Sequence, residues 1–135
     1  MSQIHQEVTF NAPPGQVYRA LLDSREFAKI TGDPAVIEAE EGGKFVCFGT
    51  FITGRIVELV SDKRIVQAWR VFNWPEGVYS IVRFELIPDG WGPRASATKT
   101  KLVLDQDGAP EKEVAHLDPG WGKKYWEPFK KHLGG

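Results

Sequence analysis

The residues of this chain that could do chemistry are three histidines, one cysteine, two arginines set among apolar neighbours and a few hydroxyls. His5, His116 and His132 stand far apart, and with Cys47 alone there is no Cys-pair or His-pair spacing of the kind that holds zinc. Cys47 falls inside a β-like run, where a small buried apolar residue fits better than a nucleophile. No Gly-x-Ser-x-Gly elbow presents a serine. Gly42-Gly-Lys44 lacks the earlier glycine and the Ser/Thr of a phosphate loop and precedes a strand pattern, so it reads as a tight turn. Arg70 and Arg83 lie mid-strand. Facing inward, either would orient a carboxylate or an acidic partner residue; facing outward, its stem would lie along the sheet. No metal or cofactor is expected.

These groups need elements to position them, and the most strongly patterned element is the last. From Asp118 to Gly135, at roughly 100° per residue, Trp121, Tyr125, Trp126, Phe129 and Leu133 fall in one arc, opposite Lys123, Lys124, Glu127, Lys130 and Lys131. The spacing predicts an amphipathic helix with Asp118 as N-cap, Pro119 in the first position, cations in the last turn and Gly134 as a left-handed cap. Pro128 should bend it near Lys124. Lys123 and Lys124, like Glu38, Glu40 and Glu41, read as solvated faces. The bulky arc must lie on something broad and apolar.

The preceding chain supplies that surface. Ile4 to Phe10 alternates as a strand; Pro13 or Pro14 opens a helix whose face is Val17, Tyr18, Leu21 and Leu22; Ser24 caps a second short helix, Arg25 to Ile30. Six β-like runs follow: 36–40, 44–49, 53–60, 64–74, 78–87 and 95–105. Their short separators imply antiparallel pairing, since parallel crossovers need a dozen or more residues. One face of the fifth run carries Val78, Ser80, Val82, Phe84 and Leu86, and Leu102 and Leu104 share parity with Ser96, Thr98 and Thr100. A turn centred on Gly90-Trp91-Gly92-Pro93 would set Phe84 opposite Thr98 and Val82 opposite Thr100. The fold class is therefore α+β: a curved antiparallel sheet of about seven strands under a long C-terminal helix, with residues 1–135 forming one domain.

Ser80, Val82, Phe84, Leu86, Thr98, Thr100 and Leu102 on the sheet, with Trp121, Tyr125 and Phe129 on the helix, read either as plain core or as an apolar cavity with a hydroxyl-bearing end. Buried hydroxyls left alone are unfavourable by about 1 to 3 kcal/mol, so these must bond to backbone, water or a ligand. Trp74-Pro-Glu-Gly77 is either a hairpin connection or a partner-contact loop, with Trp74 and Trp91 protruding at strand ends.

Composition excludes whole classes. Seventeen basic and eighteen acidic residues give a net charge of −1, which argues against bulk binding to nucleic acid or anionic membrane. One cysteine precludes an internal disulfide and fits a reducing compartment. No basic-then-apolar leader opens the chain and no apolar run approaches spanning length, so a cytoplasmic protein is expected.

The element order resembles the helix-grip arrangement of the START and birch-pollen-allergen (SRPBCC) superfamily. Within it the chain resembles the activator of heat-shock protein 90 ATPase family, specifically the domain at the C-terminal end of the eukaryotic activator. The matching residues are Gly42-Gly-Lys-Phe45, Gly49 and Gly54, Leu59-Val60, Ile65-Val66 with Trp69-Arg70, Trp74-Pro-Glu-Gly77, Gly108-Ala-Pro110 and Gly120-Trp121 with Tyr125 and Lys130. The resemblance implies a link to a heat-shock protein 90-type chaperone, and the sequence alone implies only the cavity; the expectation is a non-enzymatic binding domain that works by contact with that partner, by holding a small hydrophobic ligand, or both. The separate N-terminal domain by which the eukaryotic activator docks is not expected here. Two other roles fit the superfamily. A cyclase or aromatase-like enzyme would need an inward titratable pair, and a stress-related protein would sequester hydrophobic compounds.

Overall fold

The computed structural model describes residues 3–89 and 98–134. Seven antiparallel strands form one curved sheet in the order β1-β7-β6-β5-β4-β3-β2: β1 Ile4–Phe10, β2 Val36–Ile37, β3 Lys44–Cys47, β4 Ile52–Val60, β5 Arg64–Val71, β6 Ser80–Asp89 and β7 Lys99–Asp107. Two short helices, α1 Pro14–Leu22 and α2 Ser24–Thr31, follow the first strand. The C-terminal helical segment comprises a 3-10 turn Glu111–Glu113, α3 Val114–Trp121, a π turn Gly122–Trp126 and α4 Glu127–Leu133. This is the α+β helix-grip fold, with the aromatic face of the C-terminal segment buried against the sheet.

Local chemistry sets the element ends, with one exchange of roles near α2. Asp23, rather than Ser24, caps α2, its carboxylate accepting from the Glu26 N–H at 2.8 Å. The Ser24 hydroxyl instead accepts from the Ile37 N–H at 2.8 Å, tying the helix start to β2. Gly32 closes α2 in the left-handed region at φ 79°.

The C-terminal helix begins earlier than its sequence pattern predicts. Its first turn follows the Gly108-Ala-Pro110 bend, so Asp118 is not an N-cap and Pro119 lies inside α3. The lost Pro119 N–H is tolerated because the segment is held to the sheet by side chains on either side of it. Gly134 does end the helix at positive φ, 94°, but with extended ψ, 156°, and its carbonyl accepts from the Asn11 N–H at 3.1 Å.

The β6–β7 register also differs. Phe84 pairs with Leu104, Val82 with Gln106 and Pro88 with Thr100. The offset is an even number of residues, so each side chain keeps its expected face although its partner changes. The expected turn around Trp91, and Ala95 to Ala97 of the last run, lie outside the described residues.

Strand alternation is strict where it matters. In β5, Ile65, Gln67, Trp69 and Val71 are buried and Arg64, Val66, Ala68 and Arg70 are half-buried on the other face. Arg70 therefore points outward, donating to the carbonyls of Trp74 and Pro75 at 2.8 Å each, and Arg83 points outward to Asp105 at 3.1 Å. On the same outer face His5 bonds Asp105 at 2.7 Å and Glu7 at 3.1 Å, and Lys101 bonds Glu7 at 2.9 Å.

Gly54 in β4 shows why its position takes no side chain. A Cβ there would run into the Ala68 carbonyl of the neighbouring strand and come within 2.7 Å of the Phe45 ring. Gly54→Ala should lower stability by about 1–3 kcal/mol, the usual range for overpacking, read as a lower urea midpoint at unchanged slope.

Hydrogen bonds to Asp105 first, then to Glu7, raise the His5 pKa above its ordinary value. A raised pKa in the folded protein stabilises below the unfolded value, near pH 6.5, and that stabilisation disappears as pH climbs through the higher folded value. Wild type should exceed His5→Gln in melting temperature at about pH 5.5 and lose that lead by about pH 8.5. An NMR titration midpoint of the His5 ring at or below the ordinary value would contradict this.

Candidate functional site

Two tryptophans of the C-terminal segment are seated on the sheet by glutamines. The Trp121 indole N–H donates to Gln106 Oε1 at 2.9 Å, Gln106 Nε2 donates to Ser80 Oγ at 3.0 Å, and the Ser80 hydroxyl donates to the Trp69 carbonyl at 2.9 Å. All members are buried, so the chain of donors satisfies groups that would otherwise be costly. On β1, Gln6 Oε1 accepts from the Trp126 indole at 2.7 Å while Gln6 Nε2 donates to the Asp118 carbonyl and carboxylate at 2.8 and 2.7 Å.

Around these bonds the core is aromatic. Trp121 stacks on Trp69 at 5.4 Å and 26°, lies 4.4 Å from Tyr125, and meets Phe84 edge-on at 5.8 Å. Phe27 of α2 contacts Phe48, Tyr125 and Phe129 at 5.7–5.8 Å, each T-shaped. Burial pushes the Cys47 thiol up to about 12, so it is a packed apolar group without thiolate character. Burial, with the neighbouring Cys47 adding to it, also drives the Tyr125 hydroxyl far above its ordinary value.

An unfilled space lies at one flank of this core. A groove of about 470 Å³ opens between β4, β5 and α3. Ile52, Trp69 and Val71 form its sheet side, and Leu117, Gly120, Trp121 and Tyr125 its helix side. Phe51, Asn73, Glu113, His116 and Lys124 stand around the mouth. Phe51 and Phe72 touch at 5.3 Å while 42% and 59% exposed, an aromatic lip that solvent reaches. The Lys124 ammonium sits 5.6 Å from the ring centres of both Phe48 and Phe51.

The structure divides the cavity residues expected from sequence. Trp121 and Tyr125 line the groove. Ser80, Val82, Phe84, Leu86, Thr100, Leu102 and Phe129 are buried in the packed core at 3% exposure or less, away from it. Thr98 is exposed. The Thr100 hydroxyl donates to the Ala12 carbonyl at 2.7 Å, so both inward hydroxyls, Thr100 and Ser80, are answered by backbone rather than facing an open space.

Trp74 does not protrude. It is 4% exposed and packs edge-on to Trp69 at 5.9 Å, because Arg70 pins the loop that carries it. Among the described residues the Trp74 indole N–H has no hydrogen-bond partner, and the Trp69 indole N–H falls short of a full hydrogen bond but lies close enough to the Tyr125 hydroxyl to act on it; a T-shaped ring pair is one in which an N–H edge can rest on a π face. Trp91 lies outside the described residues.

Residue reasoning missed Gln6, Gln106, Phe51 and Phe72. Gln6 shares parity with Ile4, Val8 and Phe10, and a polar residue on an otherwise apolar face was the available signal. Among the described residues, no group of three or more His, Cys, Asp or Glu side chains could hold a metal ion, and no helix is long and apolar enough to cross a membrane.

The model of the family described as "Activator of Hsp90 ATPase homolog 1-like protein" matches residues 11–134. The chain belongs to that family. It is 33% identical over 127 residues to mouse activator of 90 kDa heat shock protein ATPase homolog 2, covering 94% of this chain and 36% of the relative. It is 30% identical over 126 residues to the human homolog 1, covering 93% and 35%. The chain thus spans about a third of the length of these curated relatives. Among solved structures it resembles an HSP90 activator from Plasmodium falciparum, with a TM-score of 0.82, 26% identity, and 97% and 96% of the two chains covered. It shares the fold of CalU16 from Micromonospora echinospora, at TM-score 0.77 and 19% identity, with 96% and 74% covered.

Replacing Trp121 by Phe keeps a ring but strips Gln106 Oε1 of its buried donor, which should cost about 1–3 kcal/mol. Combining Trp121→Phe with Gln106→Leu removes both ends of the bond. The double variant should be less destabilised than the sum of the singles, by about 0.5–3 kcal/mol in urea unfolding. Additive losses would mean that the bond does not seat the helix.

Proposed function

We propose that this chain is a non-catalytic binding domain that contacts a heat-shock protein 90-type chaperone through the groove between β4, β5 and α3 and its Phe51–Phe72 lip. The observation that carries this reading is a half-open apolar groove bordered by two touching, solvent-reached phenylalanines. Exposed aromatics beside a pocket are the usual anchors of protein recognition. The names of the relatives supply the partner class. Against catalysis, His116 and Lys124 are exposed at the mouth and Glu113 is half-buried there, while the groove floor is apolar.

A second reading, a small hydrophobic ligand beneath Trp121 and Tyr125, is supported by volume, since about 470 Å³ falls within the range of small-molecule pockets.

Gly120 offers a clean test. It lines the groove, and a Cβ added there would meet nothing within 4 Å. Gly120→Leu should fill the groove without loss of stability, because leucine also favours a helix over glycine. Wild type should associate with the chaperone and change its ATPase rate; Gly120→Leu and Phe72→Ala should weaken association by about tenfold or more, as hot-spot losses do. Absence of association by wild type, or full retention by both variants, would defeat the proposal.

A further inference from the structure

On the other flank of the C-terminal segment, a second cleft of about 500 Å³ runs between α2 and α4. Lys29 projects into it from α2, and Lys123 and Lys131 from the C-terminal segment. All three are exposed, and none of their ammonium groups makes an ion pair or hydrogen bond among the described residues. Half-buried Ile30 and Pro128 supply apolar lining. Among the described residues Glu127 is the one carboxylate lining the cleft, and His132 at its edge is taken by Glu26 at 3.1 Å. In a chain of net charge −1, three lysines without an ion pair among the described residues thus line one concave site.

We infer that this α2–α4 cleft binds an acidic peptide segment of a partner protein. Three cations at the edge of a concavity match carboxylates spaced along an extended chain, and Ile30 and Pro128 match an apolar side chain between them. A membrane would call for exposed apolar anchors beside the lysines. Among the described residues the exposed large apolar side chains, Val36, Phe51, Val57, Phe72, Tyr79, Ile81 and Ile87, do not line this cleft. A nucleic acid would call for stacking aromatics, and none lines the cleft. The inference rests on this cleft alone and stands or falls apart from the groove.

The probe is a fluorescein-labelled twelve-residue peptide repeating Glu-Asp-Leu, followed by fluorescence anisotropy against the full chain. Wild type should bind it, and raising salt from about 0.05 to about 0.5 M should weaken binding. Lys123→Gln with Lys131→Gln should weaken it about tenfold or more. Lys29→Glu, on the opposite wall, should weaken it independently of any change in the C-terminal segment. Phe72→Ala, at the groove lip, should leave it unchanged, which separates this site from the proposed chaperone contact. The inference is overturned if the peptide does not bind, if a Gln-Asn-Leu peptide binds equally, or if neither lysine variant weakens binding. It is also overturned if phosphatidylserine vesicles bind the protein where the peptide does not.

Discussion

Two indole N–H groups set the position of everything on the concave side of the sheet. Trp121 and Trp126 each bring a donor that burial takes from water, and each finds one amide oxygen, on Gln106 of β7 and Gln6 of β1. Apolar packing alone would let the C-terminal segment slide along the sheet, because dispersion and area burial have little directional preference. A buried N–H does not tolerate sliding, since a shift of an ångström or two trades a hydrogen bond for a desolvated donor. The glutamines lie on adjacent strands, Ile4 opposite Gln106 and Gln6 opposite Leu104, so together they fix both position and rotation.

Once the helix is fixed there, the distribution of filled and empty space follows. Over β6 and β7 the segment sits against Phe84, Leu102 and Leu104, and the inward hydroxyls turn to backbone carbonyls. Over β4 and β5 the helix presents Gly120 and Leu117, which cannot fill the distance to Ile52 and Val71. The groove is therefore a consequence of a small residue at one helical position, and the Phe51–Phe72 pair remains exposed beside it.

The curved sheet, the two short helices and the aromatic face of the last helix were legible because each rests on a local period: two in the strands, about 3.6 in the helices. Even parity carried Val82, Phe84, Leu86, Leu102 and Thr100 to the inner face despite the altered β6–β7 register. The site was harder to read. Whether an inward side chain touches a neighbour or a void depends on how far away the opposite element lies, which alternation does not encode. Trp74 looked like an exposed loop residue because its burial depends on Arg70 folding over the loop from the other face of β5. Gln6 and Gln106 depend on partners more than a dozen residues away.

The π turn shows how a local irregularity can serve the long-range fit. In an ideal α-helix, residues five apart are rotated by about 140°, so Trp121 and Trp126 would not lie above one another. Over Gly122–Trp126 the wider turn, with the Glu127 N–H bonded to the Gly122 carbonyl, brings them into register, and the two indoles stack at 5.7 Å and 18°. The helix then resumes at Glu127 with Pro128 in its first turn, where a missing N–H costs least. Pro128 is thus less a break in a regular helix than the start of the one that follows the wide turn. Adjacent Lys123 and Lys124 line different recesses, one the α2–α4 cleft and the other the groove, as the rotation of about 100° between neighbours on a helix allows. A single extra residue in one turn thereby brings both tryptophans over the glutamines that hold them.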